Sequence, residues 1–246
     1  MKLILLGTGG YFPNGRRHTA CLMLPETGIV LDAGSGMCQI GKHLQADRLD
    51  IFLSHAHLDH ISGLTYLVNL VPADVLKRTT VHGDAKKLSA VREHLFAEPI
   101  FPVAPQFQFA PLAESCALPG SGTLRHFPLV HPGGSLGFRL DWPGHSMAYI
   151  TDTTASIGAE YVESIRGVNL LVHEAYFAED VNDLPANTGH SSLMRVAEVA
   201  AAANVERLVI AHIDPQIEDD SVFDLAAARQ VFARTEIGVD GMELQF

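Results

Sequence analysis

The chain is short of the features that would settle its nature by composition alone. Only three cysteines occur in 246 residues, Cys21, Cys38 and Cys116. They are odd in number, widely spaced and form no C-x-x-C pair, which argues against a disulfide framework or a thiolate zinc site. Reduced, packed cysteines fit better. No apolar run reaches the ~18 residues of a membrane-spanning helix. The opening run at residues 1–6 stops at Gly7-Thr8-Gly9-Gly10, too short for the apolar segment of a secretory signal. The chain reads as cytoplasmic and soluble. It has no excess of basic residues: 17 Lys and Arg stand against 28 Asp and Glu, a net charge of −11. That balance disfavours broad electrostatic capture of nucleic acid, although Arg16, Arg17 and His18 sit together early. Linkers, low-complexity tracts and short repeats are also missing. The chain is 47% hydrophobic, enough for a sizeable core, and it is read as one domain over residues 1–246.

Histidine, by contrast, is concentrated. Ser54-His55-Ala56-His57-Leu58-Asp59-His60 places three imidazoles and a carboxylate within six positions. Residues 49–53 read as a buried strand running into this cluster. In an extended chain alternate residues point the same way, so His55, His57 and Asp59 would share one side. His60 would come round as the chain turns. Imidazole and carboxylate are ligands of borderline-soft divalent metals, zinc above all. The alternative, a polar loop with incidental histidines, carries a desolvation cost for packing so many unpaired rings together.

Along the chain, short apolar strands alternate with glycine turns and helical stretches. Residues 3–6, 21–24, 29–31, 79–82, 124–130, 136–140, 147–151, 170–173 and 208–211 read as further strands. Helices are expected near 37–44, from an Asp84 N-cap to about Phe96, from Ser191 onward, where Leu193, Val196, Ala197 and Ala200 recur at helical spacing, and over 222–232. Residues 97–111 hold three prolines in their first nine positions and cannot form a regular helix. A substrate lid and a packed connector fit that stretch equally. Periodicity alone gives mixed α/β.

The histidine cluster resembles the His-x-His-x-Asp-His signature of metallo-β-lactamase-fold hydrolases. Later stations match the same superfamily: His131 before Pro132-Gly133-Gly134, Asp152 in Ile150-Thr151-Asp152-Thr153, and His212 in Ile210-Ala211-His212. Each follows an apolar strand, where loop side chains can converge on a cleft. Three more segments resemble ribonuclease Z and its phosphodiesterase relatives. These are residues 6–13 with Arg16-Arg17-His18, then His173-Glu174-Ala175-Tyr176 with Tyr176 in place of a threonine, and Gly189-His190-Ser191-Ser192. The long basic arm of ribonuclease Z is not found between Thr80 and Phe127.

The resemblance implies a four-layer αββα sandwich, the metallo-β-lactamase fold. It implies two divalent ions, zinc with manganese or iron as alternatives. One is held by His55, His57 and His131, the other by Asp59, His60 and His212. Asp152 bridges them, and a water or hydroxide is the other bridge, which two such cations would activate at neutral pH. The implied catalytic residues are Asp59 and the pair Glu174 and His190, which would donate a proton to the leaving oxygen. Two plainer roles, a surface acid for Glu174 and a helix cap for His190, remain beside it. Asp32, in Leu31-Asp32-Ala33-Gly34, either holds the histidine loop or forms a turn. The expected substrate is a small phosphodiester or nucleotide-like molecule. Thioester and lactone hydrolysis, or cleavage of RNA 3′ ends, are alternatives on the same fold. No membrane partner is expected, and the resemblance suggests a homodimer.

Overall fold

The structure, a computed structural model, describes residues 1–103, 105–180 and 187–246. It divides into two compact units. The first comprises residues 1–114 with 239–245, and the second residues 115–238 with Phe246.

In the first unit seven strands form one sheet. They are β1 (Lys2–Gly7), β2 (Cys21–Leu24), β3 (Ile29–Leu31), β4 (Leu49–Phe52), β5 (Thr79–Gly83), β6 (Gln108–Pro111) and β14 (Glu243–Gln245), in the order β14-β1-β2-β3-β4-β5-β6. Pairing is antiparallel from β14 to β3 and parallel from β3 to β6. The central strands are buried on both faces, which is why they read as continuous apolar runs rather than alternating ones. Ile4, Leu6, Met23, Val30, Ile51 and Val81 pack with Ile40, Leu64, Leu67 and Leu88 from the covering helical segments. Asp84 caps the helix Ala85–Ala90 as expected, accepting from the Lys86 and Lys87 amides at 3.0 and 3.1 Å. The helical path continues as a wider π turn over Val91–Leu95.

The second unit holds β7 (Ser115–Leu118), β8 (Gly122–Leu129), β9 (Ser135–Trp142), β10 (His145–Ile150), β11 (Leu170–Glu174), β12 (Leu208–Ala211) and β13 (Thr235–Ile237). Their order is β13-β12-β11-β10-β9-β8-β7. Pairing is antiparallel from β7 to β10 and parallel from β10 to β13. Each unit therefore repeats one plan, four antiparallel strands continuing into four parallel ones with the middle strand shared. Val196, Ala197 and Ala200 of the helix Leu193–Ala202 pack with Ala148, Ile150, Leu171 and Ile210.

The strands not foreseen from sequence, β6, β7, β13 and β14, are the four sheet edges. Their residues are largely exposed or half-buried, so they lack the hydrophobic signature of the central strands. The stretch 97–111 ends in β6. Phe101 and Phe107 pack edge-on to Phe96, with ring centroids 5.1 and 5.6 Å apart. The packed-connector reading holds for those two residues, whereas Ile100 and Val103 are exposed. Among the described residues no helix is long and apolar enough to cross a membrane.

Candidate metal centre and proton-transfer pair

In the first unit the ligand-type residues follow β4. The chain stays extended to His57, which stands at the N-cap of the helix Leu58–Ile61. The strand alternation foreseen for Asp59 stops there, because Asp59 and His60 already belong to the helical turn. The turn brings the Asp59 carboxylate to 3.3 Å from His60 Nε2. The His55 ring lies 4.3 Å from that of His57 and 4.2 Å from that of His60.

Asp32 organises this loop. It is fully buried and sits in the left-handed region, at φ +58°. Its carboxylate accepts from the Ser54 amide at 2.7 Å and the Ser54 hydroxyl at 2.8 Å, and lies 2.8 Å from His60 Nδ1. A carboxylate can only accept here, so His60 carries its proton on Nδ1 and its Nε2 lone pair is left for a metal. The Ser54 hydroxyl gives its one proton to Asp32. It therefore accepts from His55 Nδ1 at 3.0 Å, which places the His55 lone pair on Nε2 in turn. Of the two roles open for Asp32, holding the histidine loop is the one its contacts support. Ser54 was missed in the sequence; its place between strand and motif was the available signal. Gly34 is required by close approach: a Cβ there would lie 2.2 Å from the Asp59 carbonyl oxygen. His18 lies elsewhere in this unit, 3.6 Å from Cys38 Sγ, and with Arg16 and Arg17 lines a separate cleft.

In the second unit, His131 follows β8, Asp152 follows β10, Glu174 ends β11 and His212 follows β12. Because β10, β11 and β12 run parallel side by side, their carboxyl ends present Asp152, Glu174 and His212 along one edge. Asp152 and His212 both adopt left-handed backbone, φ +50° and +51°, which turns each side chain sharply off its strand. One Asp152 oxygen lies 3.4 Å from His131 Nε2 and the other 3.3 Å from His212 Nε2, so the carboxylate stands between two imidazoles. His131 donates from Nδ1 to the Gly189 carbonyl at 3.0 Å, leaving Nε2 toward Asp152. Burial holds the His131 imidazole below its ordinary pKa, which favours the neutral, metal-binding form.

Glu174 and His190 meet. The buried Glu174 carboxylate accepts from the Thr153 amide at 2.6 Å and the Ser191 amide at 3.1 Å, and both its oxygens lie 3.2 Å from His190 Nδ1. The His190 ring stacks on Tyr176 at 4.7 Å and lies 5.4 Å from the His212 ring. Glu174 is thus no surface acid. Nor does His190 cap the helix: Ser192 occupies the N-cap, and the Ser191 hydroxyl donates to the Thr153 carbonyl. Asp152, His190 and His212 each offer one ligand atom within 4.8 Å of the others.

A family model described as a beta-lactamase superfamily domain matches residues 27–213. The chain belongs to the metallo-β-lactamase superfamily. Ribonuclease Z of Archaeoglobus fulgidus is 25% identical over 99% of this chain and 97% of its own length. Ribonuclease Z of Bradyrhizobium sp. strain ORS 278 is 27% identical over 97% of each. Both alignments exceed 300 positions against 246 residues here, so those relatives carry segments without counterpart in this chain. Among solved structures, the metallo-β-lactamase fold protein YhfI from Bacillus subtilis superposes with a TM-score of 0.80 at 16% identity, covering 99% of both chains. The short form of human tRNase Z gives 0.75 at 21% identity, covering 100% of this chain and 99% of its own.

The fold class read from the sequence, the αββα sandwich of this superfamily, is therefore the fold of this chain. The protein is a metal-dependent hydrolase, ribonuclease Z-like in sequence. The donor chemistry in each unit fits divalent ions. Second partners fix the tautomers of His55, His60 and His131 so that each presents Nε2, as ligating histidines commonly do.

Proposed function

We propose that this superfamily member is a dinuclear phosphodiesterase acting on small phosphodiesters or nucleotide-like substrates. His55, His57 and His131 would hold one ion, and Asp59, His60 and His212 the other, with Asp152 shared; the whole chain would act as one catalytic domain. Two zinc ions, or manganese or iron, would supply an activated water and neutralise charge on the phosphate.

The remaining work falls to the chain's own residues. The Glu174 carboxylate accepts a hydrogen bond from His190 Nδ1–H, which stays on the ring, and balances the charge of the imidazolium. His190 then holds a second proton on Nε2 and delivers it to the departing oxygen. The Glu174–His190 contact is the observation that carries this reading, because an alkoxide leaving group needs a proton and a thiolate does not. Thioester hydrolysis is for that reason the weaker alternative, while lactone hydrolysis, which also expels an alkoxide, is separated from the phosphodiesterase reading by the substrate panel. Processing of RNA 3′ ends is favoured by the curated relatives named ribonuclease Z. The shorter chain and the net charge of −11 weigh against it. The proposal extends to a cytoplasmic setting, in keeping with three free cysteines, and to a homodimer.

The test is a panel of bis-aryl phosphodiester, thioester, lactone and precursor transfer RNA, with elemental analysis of protein prepared in excess zinc or manganese. Turnover of the phosphodiester with two tightly bound ions per chain is expected. Preference for the thioester or lactone would refute the phosphodiesterase reading. Efficient cleavage of the transfer RNA precursor at physiological salt would replace it with the RNA reading.

A further inference from the structure

The first unit carries a groove of about 410 Å³ lined by Ala56, Leu58, Ile61, Val91, Leu95 and Ile100, with Ala90 and His94 completing its wall. Seven of these eight side chains are apolar. Leu58 and Ile100 are each 70% exposed, an arrangement that costs free energy in water unless something apolar covers them. The position of the groove is its most informative property. Ala56 and Leu58 are the intervening residues of His55-Ala56-His57-Leu58-Asp59, so one short loop supplies both candidate metal ligands and a wall of the groove. Consecutive Cα atoms are 3.8 Å apart. Along the extended stretch Ala56 faces away from His55 and His57, but Leu58 at the rim of the groove and the adjacent His57 are both exposed, so the groove opens next to a ligand position.

We infer that this groove receives the apolar alcohol portion, alkyl or aryl, of the phosphodiester substrate, and so sets substrate preference. The inference rests on the phosphodiesterase reading for its reaction, though not for its binding. Ligand pockets of this size are mostly apolar with few polar groups to fix orientation, and His94 supplies the polar group here. The walls have firm backing. Ile61 and Val91 are buried in the core of this unit, and Ala56 and Leu95 pack against it, so the floor is preformed while Leu58 and Ile100 form the rim.

Kinetics with 4-nitrophenyl methyl, propyl and hexyl phosphates would measure the effect. Each methylene entering the groove should raise kcat/KM roughly fourfold, from the usual transfer free energy of a buried methylene. Ile100→Ser and Leu58→Ser should both lower the hexyl-to-methyl ratio. That ratio is internal to each protein, so a loss of folded enzyme cancels. A flat series in the wild-type protein overturns the inference. If no phosphodiester is hydrolysed, the reaction reading fails, and calorimetric binding of hexyl against methyl methylphosphonate still decides the groove. Tighter binding of the hexyl compound that is lost in Ile100→Ser upholds it, and equal binding overturns it. Concentration-dependent self-association abolished by Ile100→Ser would also overturn it, by assigning the groove to a second copy of the chain.

Discussion

Lowering the pH should destabilise the fold through one buried imidazole, His173. This side chain is fully buried in β11, next to Glu174. Its Nδ1 lies 2.8 Å from the Glu174 carbonyl oxygen, so Nδ1 must carry the proton. Its Nε2 lies 3.0 Å from the Tyr161 hydroxyl and accepts from it. That hydroxyl keeps its proton, because burial pushes the phenol pKa well up. A proton on Nε2 would meet the Tyr161 hydroxyl in a site closed to solvent. Burial accordingly depresses the His173 pKa to about 4, against about 6.5 for an unfolded histidine. Between those values the unfolded chain binds a proton that the folded chain refuses. Stability is therefore full above about pH 6.5, declines as the pH falls toward 4, and has no further contribution from this residue below that. A difference of about 2.5 pKa units corresponds to about 3 kcal/mol, a large share of the stability of an ordinary domain. Urea unfolding of metal-stripped wild-type protein and His173→Gln at pH 7, 6, 5 and 4 isolates the term, since other titrating groups cancel in the difference. Glutamine can donate and accept but cannot charge, so the variant should lose ground at pH 7 and recover it toward pH 4. Parallel pH profiles for the two proteins would refute the reasoning.

Three further outcomes are expected. His190→Ala should lower turnover of a phosphodiester with an alkoxide leaving group by ~10²–10⁴ and much less for nitrophenolate, with metal content unchanged; equal losses for both leaving groups would leave His190 a structural or phosphate-binding residue. Asp32→Asn keeps the shape but cannot accept from the Ser54 amide, the Ser54 hydroxyl and His60 at once, and should weaken metal binding about 10–100-fold in a chelator competition. Gly189→Ala puts a Cβ 2.7 Å from Pro132 Cδ and 2.9 Å from His131 Nδ1 at a backbone φ of +73°; thermal unfolding should show a loss of about 1–3 kcal/mol, and an unchanged melting temperature would contradict it.

Much of this molecule was legible in the sequence. The central strands announced themselves because both their faces are buried, so Leu3 to Leu6 and Leu208 to Ala211 read as unbroken apolar runs. The candidate ligands were legible because each sits where such a run ends. In the second unit this placement follows from topology, since parallel strands present their carboxyl ends together, and Asp152, Glu174 and His212 share that edge. The four edge strands were not legible, because half of each faces solvent. The roles of Asp32 and Ser54 were equally hidden. Asp32 lies 22 residues before Ser54 and 28 before His60, and only the pairing of β3 with β4 brings its carboxylate to both. Which residues are candidates to bind metal and carry protons is readable from the chain alone, because candidacy depends on side-chain chemistry and on where the apolar runs stop. The tertiary structure decided which nitrogen each imidazole presents and that Glu174 is a buried partner of His190. It also decided that Leu58 and Ile100 share one groove. Those properties depend on distances between residues far apart in the chain, and packing sets such distances where local pattern does not.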